Sequence, residues 1–385
     1  MSEPNRISVE QLLAWASRFD VPETQREMVV SVSWTVQILN SLVDGFPIGT
    51  VLLWRPEERG HRPLPRYRED SGADWWIVDG QQIFAAMLAA FAVRPPWIPE
   101  DRWRELGGPS LEVGVRLDGD GGFAFRPHQP GKSRQVSLRA LREAAAAGRI
   151  RSLVLGLGVP SPDPQVERLA ALLQRLMDAQ VSVEWLRGDQ KHAVEAFLRH
   201  NRAGQAHPLT GEESRLAVLS TRRPGLQLQV IDPVVRRLAA EDFAGVLGRR
   251  QVVAVMQSLL PDHYRRISAA TDPALIDAAA RSAGQACLDV AAYLRRYGIV
   301  AGELLSPVVA AEVLGVLFAC FPQASGEDFA ARWLAHVAVT GRYFSPRQRA
   351  SADVRMVRSA RTLSDAYAAL AAEMPAGCGI SESNV

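Results

Sequence analysis

The sequence predicts an α+β fold in which a mixed N-terminal domain, residues 1–205, precedes an all-α domain, residues 206–372. Three observations predict it. Short buried-strand patterns alternate with amphipathic helix patterns as far as residue 186, and almost the whole sequence after Asp189 has helical periodicity. An apolar content of 47% is ample for two hydrophobic cores. The last residues, 373–385, are predicted to form a flexible tail.

The elements of the N-terminal domain follow from local patterns. Ser8 and Gln11 form a capping box that begins the first helix, and Gly45 is a C-cap that ends the second. Residues 55–73 are polar and rich in Arg, Pro and Gly, which predicts an exposed loop. The predicted helices span 9–18, 33–45, 81–92, 137–147 and 163–180, and the predicted strands span 50–54, 75–78, 111–117, 122–126 and 181–186.

Arginine is unevenly distributed along a chain whose net charge is only +2. Residues 201–300 hold 13 Arg against 9 acidic residues, and six further arginines lie between residues 342 and 361. The small net charge argues against a protein that is basic as a whole. The clusters predict either a DNA-binding face in the all-α domain or solvated helix surfaces, and both interpretations stay open.

Several classes of protein are excluded by composition. Cys287, Cys320 and Cys378 lie far apart and form no cluster with histidine, so neither a zinc site nor a disulfide framework is predicted, and no protein-bound metal is expected. The N-terminus lacks the pattern of a signal peptide, and no run of 18 apolar residues occurs. We therefore predict a cytoplasmic protein without a membrane partner.

Polar residues interrupt the apolar pattern where the strand at 75–78 meets the next helix. The joint reads Asp79-Gly80-Gln81-Gln82. A glycine turn before a helix leaves backbone N–H groups without partners at the positive end of the helix dipole, which suits phosphate or another anion. Arg26 and Arg202 are candidate cations for that anion. A simpler interpretation stays open, in which Asp79 is only the N-cap of the helix.

This joint belongs to a series of short motifs that occur in a fixed order. The series is Gln25-Arg26, then Trp34, Pro47-Ile48-Gly49, Val78-Asp79-Gly80-Gln81-Gln82, the F-x-x-x-N-x-x-G pattern from Phe197 to Gly204, and Pro208-Leu209-Thr210 with a capping box to Glu213. In this order the motifs resemble the N-terminal domain of GmrSD-type restriction systems, a domain of unknown function in the ParB/sulfiredoxin-like group. Taken alone, Asn201 and Gly204 are also explained as a helix C-cap pair.

The resemblance implies a ParB-like fold that binds a nucleoside triphosphate with Mg²⁺ and hydrolyses it. It also implies a role in bacterial defence against modified or phage DNA, as a sensor or regulator that acts with DNA or with a separate nuclease subunit. Asp79 and Gln82 are the predicted catalytic residues. The predicted nucleotide-binding residues are Gln25, Arg26, Gly49, Gly80, Gln81, Asn201, Arg202 and Gly204. Arg202 is included because its positive charge suits phosphate, and not because of the resemblance.

The chain departs from the family pattern at two places. The family motif continues as DGQQR, and Ile83 occupies the position of that arginine. Many relatives carry a C-terminal HNH nuclease domain, whereas this chain has only His263 and His336 after residue 220, so HNH activity is not expected. One alternative function is therefore a catalytically inactive module that binds DNA or protein.

A nuclease acting through the N-terminal domain is the second alternative. Such an enzyme needs carboxylates that hold a divalent metal, and the candidates are Asp79 together with Glu23 or Asp74. No DxD, ExK or HxH arrangement supports this alternative.

Overall fold

The computed structural model describes residues 4–56, 63–117, 122–132, 134–158, 162–201, 210–243, 246–261, 272–299, 309–343 and 348–372. The chain divides into two compact units, Met1–Pro208 and Leu209–Val385. The boundary predicted near residue 205 and the predicted tail at 373–385 lie outside the described residues.

A five-stranded mixed sheet is the centre of the first unit. The strands of this unit are β1 Arg6–Ser8, β2 Phe19–Asp20, β3 Thr50–Trp54, β4 Trp75–Asp79, β5 Val113–Leu117, β6 Phe123–Pro127, β7 Gln135–Ser137 and β8 Gln180–Leu186. The large sheet has the order β1-β8-β3-β4-β2, and β6-β5-β7 form a small antiparallel sheet. Strand β3 is parallel to β8 and antiparallel to β4, so the large sheet is mixed. This mixed sheet and the many helices of the chain confirm the α+β fold class.

Strands β3 and β4 are apolar along nearly their whole length because they lie in the middle of the sheet. Their sequences, TVLLW and WWIVD, are almost entirely buried, as expected of strands that are covered on both faces. The register between them is irregular between Leu52 and Leu53, and Leu52 lies opposite Asp79. The pairing of β4 with β3 therefore fixes the position of Asp79, the last residue of β4.

Eight described helices surround these sheets. They are α1 Val9–Trp15, α2 Val32–Asp44, α3 Gln81–Ala90, α4 Glu100–Glu105, α5 Leu138–Ala146, α6 Ile150–Gly156, α7 Pro162–Asp178 and α8 Gln190–His200. The five predicted helices are confirmed, and so is the capping box at Ser8. Helix α3 is buried from Phe84 to Ala90, so it forms part of the hydrophobic core.

The prediction of an exposed loop at residues 55–73 is wrong for residues 63–68. Arg66 and Tyr67 are buried there, and the Tyr67 ring belongs to the hydrophobic core. The Tyr67 hydroxyl oxygen accepts hydrogen bonds from the backbone N–H of Met28 (2.9 Å) and from Nε2 of Gln81 (3.0 Å). Arginine and proline are typical of exposed loops, but here long-range hydrogen bonds hold the segment against the core.

The second unit consists of helices and connecting segments, and no strand occurs among its described residues. Its helices are α9 Gly211–Arg222, α10 Asp232–Ala240, α11 Arg249–Leu259, α12 Pro273–Arg296, α13 Val309–Cys320, α14 Phe329–Thr340, α15 Gln348–Ser359 and α16 Leu363–Ala371, with a π-helix at Leu226–Ile231. Apolar helix α13 packs against α11, α12 and α15. Within the described ranges, none of the helices combines the length and apolar character needed to cross a membrane.

Candidate functional site

A cavity of about 470 Å³ opens in the first unit where β4 ends and α3 begins. It brings together four segments that lie far apart in the sequence, and eight of the ten predicted site residues line it: Gln25, Arg26, Gly49, Asp79, Gly80, Gln81, Gln82 and Asn201. The other two, Arg202 and Gly204, lie outside the described residues. The motif positions predicted from the sequence are thus neighbours around one space.

Gly80 makes the sharp turn from β4 into α3. Its φ angle of +91° lies in the left-handed region, and a Cβ at this position would lie 2.7 Å from Cγ2 of Val51 and 3.1 Å from its Cα. Gly80 is also the N-cap of α3, and no side chain caps this end of the helix. The first turn of α3 lines the cavity, so the positive end of the helix dipole faces it.

Asp79 is not the N-cap that the simpler interpretation proposed. Its Oδ1 accepts a hydrogen bond of 2.8 Å from the backbone N–H of Gly80, and its Oδ2 lies 2.5 Å from Nδ1 of His200. His200 is in the last turn of α8, 121 residues away in sequence. No sequence motif names His200, which is a variable position of the pattern from Phe197 to Gly204 and directly precedes the motif residue Asn201.

Gln82 holds a neighbouring backbone segment against α3. Its Oε1 accepts a hydrogen bond from the N–H of Val29 (2.9 Å), and its Nε2 donates to the carbonyl oxygen of Glu27 (3.0 Å). Both ends of the Gln82 amide are therefore engaged by the backbone, and a catalytic role for this residue stays a prediction. Gln81 is buried, and its Nε2 donates to the hydroxyl oxygen of Tyr67.

Arg26 lies next to Glu27, whose backbone carbonyl oxygen accepts the hydrogen bond from Gln82. On the N-terminal side of Arg26, Nε2 of Gln25 donates to the carbonyl oxygen of Val78. On the other side, the carboxylate of Glu27 forms an ion pair with Arg102. Arg26 is half-buried and lines the cavity, and it makes no hydrogen bond or ion pair with any other described residue. A guanidinium group with five donors is thus held at the cavity without a partner among the residues that the structure describes.

One part of the cavity wall is apolar. It is formed by side chains from all four segments: Val29, Trp34, Ile48, Ile83 and Phe197. Trp34 and Ile48 are half-buried, so their rings and methyl groups remain accessible. Ile83 lies near Gly49, where a Cβ would be 3.8 Å from Cδ1 of Ile83. The cavity therefore offers both a polar and an apolar surface to a ligand.

The carboxylates suggested for a metal do not come together. Asp74 directly precedes the five-residue strand β4, and Asp79 is the last residue of that strand. At a rise of 3.3 Å per residue, their Cα atoms lie about 16 Å apart. Asp74 instead pairs with Arg18, and Glu23 is wholly buried. Among the described residues no group of three potential ligands occurs. Asp79 is the one carboxylate among the residues that line the cavity, so the lining offers a divalent metal a single carboxylate ligand.

Many arginines of the second unit are used within the unit. Seven of them form ion pairs: Arg223, Arg237, Arg249, Arg281, Arg295, Arg296 and Arg342. Others are exposed and form no ion pair with another described residue: Arg222, Arg236, Arg250, Arg349, Arg355 and Arg361. The clustering of arginine in the sequence therefore overstates the positive charge that is available to DNA.

Neither protein-family models nor curated proteins match this chain.

Proposed function

We propose that the first unit binds a nucleoside triphosphate in the cavity at the start of α3, within a ParB/sulfiredoxin-like fold. The observation that carries this proposal is that Arg26, which has no partner among the described residues, lines the same cavity as the uncapped start of α3. Backbone N–H groups at a helix start and arginine side chains are both recurrent phosphate-binding elements of proteins. Asp79 and Asn201 lie beside them.

The apolar wall supports a nucleotide over a simple inorganic anion. Trp34, Ile48 and Ile83 offer surface on which a nucleobase can lie, and stacking of a base on an aromatic ring contributes about 1–3 kcal/mol. The cavity volume of about 470 Å³ lies within the range of roughly 300–1,000 Å³ that is typical of small-molecule sites. A ligand with a charged end and a flat apolar end matches both surfaces.

We propose further that this nucleotide site serves a cytoplasmic defence system, with the protein as a sensor or regulator. DNA bound by the exposed arginines, or a separate nuclease subunit, is the proposed partner. This step rests on the motif order in the sequence and on the exposed arginines of α15, Arg349 and Arg355.

Ile83 favours a second candidate function. Because it lines the cavity at the position of the family arginine and carries no charge, the cavity has less positive charge than the motif predicts. The second candidate is a module that keeps the fold and binds DNA or protein without nucleotide turnover. A nuclease centred on Asp79 is not proposed, because the structure separates Asp79 from Asp74 and buries Glu23.

Isothermal titration of the full chain with ATP, GTP, CTP and UTP, each with Mg²⁺, tests the proposal. Arg26→Ala is expected to weaken binding about 10- to 100-fold, because a hydrogen bond to a charged group contributes about 1.5–3 kcal/mol. The matched control is Arg175→Ala, which removes an exposed arginine of α7 that does not line the cavity. It is expected to bind like the wild type.

Two results would reject the proposal. The first is that titration of the folded wild-type protein with each of the four nucleotides gives no heat of binding. The second is equal loss of affinity in Arg26→Ala and Arg175→Ala, which would show that only total charge matters. Salt-dependent DNA binding without nucleotide binding would support the second candidate.

A further inference from the structure

A second cavity, of about 330 Å³, lies in the second unit among the helices α9, α11, α13 and α15. Its lining runs along α11 from Arg250 to Leu260, a length of about 15 Å at a rise of about 1.5 Å per residue. The volume is at the lower end of the range of roughly 300–1,000 Å³ for small-molecule sites. Every lining residue belongs to the second unit, so the cavity shares no residue with the proposed nucleotide site.

One face of α11 is turned to this cavity. Its lining positions follow the spacing of a single helix face: Arg250, Ala254, Gln257 and Ser258. The other faces of α11 carry three valines and Met256, which are buried in the hydrophobic core. The apolar residues thus anchor α11 in the core, and a face of polar and small side chains is left to the cavity.

Three charged side chains of the lining have no partner of opposite charge. Glu212 and Arg215 of α9 and Arg250 of α11 form no ion pair with one another or with any other described residue. Arg215 instead donates from Nη1 to Oε1 of Gln257 (2.8 Å). Glu312 of α13, the fourth charged residue of the lining, has an interaction of its own. Unpaired charges of both signs therefore border one space.

These charges lie at opposite ends of the cavity. The hydrogen bond to Gln257 places Arg215, and with it Glu212 one turn away on α9, beside the last turn of α11. Arg250 is in the first turn of α11, about 10 Å along the helix from Gln257. The helix dipole disfavours a cation at this position and favours an anion bound to it. The arrangement suits a ligand with one anionic and one cationic end.

A buried hydroxyl in the cavity wall is an independent sign of a ligand. Ser258 is 7% exposed and lines the cavity, and its hydroxyl forms no hydrogen bond with a described residue. A polar group that is buried without a hydrogen bond lowers stability, so such groups are rare in folded proteins. A polar ligand in the cavity would supply the hydrogen bond that Ser258 lacks.

We propose that this cavity binds a small linear zwitterion, an amino acid whose carboxylate and protonated amine are at opposite ends of the molecule. The carboxylate pairs with Arg250, the ammonium group pairs with Glu212, and Ser258 forms a hydrogen bond with the ligand. A dianion would bring a second negative charge next to Glu212, and a dication would bring a positive charge next to Arg250. The site does not depend on nucleotide binding by the first unit.

Hydrated surface charges around a cavity that holds only solvent are the competing explanation. Titration calorimetry of the full chain separates the two with three probes of equal chain length: ε-aminocaproate, adipate and hexamethylenediamine, which carry opposite, two negative and two positive end charges. We expect ε-aminocaproate to bind and the other two to bind at least about tenfold more weakly, because each loses one charge-assisted contact.

Substitutions test the two charged ends. Arg250→Ala and Glu212→Gln are each expected to weaken binding of ε-aminocaproate about tenfold. The matched control is Arg236→Ala, which removes an exposed arginine of α10 that does not line the cavity. It is expected to bind like the wild type.

Ser258→Ala separates binding from stability, should a charge variant alter the fold. Its affinity for ε-aminocaproate is expected to fall about 2- to 10-fold with an unchanged free energy of unfolding, because the hydroxyl has no hydrogen bond in the described part of the unit to lose. The proposal is overturned if ε-aminocaproate gives no heat of binding, or if adipate or hexamethylenediamine binds as tightly. Equal losses of affinity in Arg250→Ala and Arg236→Ala, or full affinity in Ser258→Ala, would overturn it as well.

Discussion

Two arginines, one in each unit, show how differently the two regions use the same side chain. Arg342 is buried, and its Nε (3.0 Å) and Nη2 (2.7 Å) both donate to Asp353, whose Oδ2 also accepts the hydroxyl of Tyr343. Arg26 of the first unit is half-buried at a cavity and pairs with no described residue. A buried charge needs a partner, whereas a charge at an open cavity can stay hydrated until a ligand arrives.

The two arginines differ in whether a described carboxylate neutralises their charge. The second unit holds most of the arginine clusters, but its ion pairs are internal and contribute to stability. In the first unit, Arg26 lines a cavity together with an uncapped helix start and pairs with no described residue. Local density of a residue type is therefore a weaker guide to a small-molecule site than the position of an unpaired side chain at a cavity.

Asp353→Ala should have the largest effect on stability, because it leaves the buried guanidinium of Arg342 without its carboxylate. We expect the free energy of unfolding of the second unit to fall by about 3–5 kcal/mol, measured by chemical denaturation. Asp328→Ala is the control, since that carboxylate is 73% exposed and pairs with exposed Arg296. It is expected to cost about 0–1 kcal/mol. Equal losses in the two variants would contradict the contrast between buried and exposed pairs.

Gly80→Ala is expected to destabilise the first unit by about 2–4 kcal/mol. A Cβ there would contact the backbone and side chain of Val51, and the φ angle of +91° is unfavourable for alanine. The control is Gly45→Ala, which has a similar φ of +79° and nothing within 4 Å of the new Cβ. It should cost only about 1–2 kcal/mol. If both variants lose the same stability, the close approach to Val51 is not what requires glycine at this turn.

Ile83→Arg places a second arginine at the cavity, beside Arg26. We expect the affinity for a nucleoside triphosphate to rise about tenfold, since one charge-assisted hydrogen bond contributes about 1.5 kcal/mol. Ile83→Leu keeps the apolar wall and should bind like the wild type. Titration calorimetry measures both. An unchanged affinity in Ile83→Arg would show that this part of the wall does not face the phosphates.

Local features of the fold were predictable because neighbouring residues determine them. Capping boxes, helix periodicity and the joint at Asp79-Gly80 were read from short stretches, and the structure confirms the elements on either side of that joint. The burial of Tyr67 was not predictable, because it depends on hydrogen bonds to Met28 and Gln81, which are distant in sequence.

The motif order predicted which segments come together around the cavity, but not the contacts between their side chains. The motifs named eight residues that line one cavity, but no local pattern shows that His200 meets Asp79 or that Gln82 holds the backbone of Glu27 and Val29. Pairings of this kind are decided by how β4, α3 and α8 pack. The same is true of the ion pairs that neutralise the arginines of the second unit.

The origin of the cavity wall in distant segments has a consequence for how the protein is made. Its lining begins at Gln25 and is completed only by Asn201 at the end of α8. During synthesis, the ribosome must therefore release more than half of the 385-residue chain before the site exists. A nascent chain that stops before α8 has the DGQQ turn without its histidine partner. Ligand binding can thus stabilise the first unit only after α8 has been made, and cannot guide the earlier folding of β3, β4 and α3.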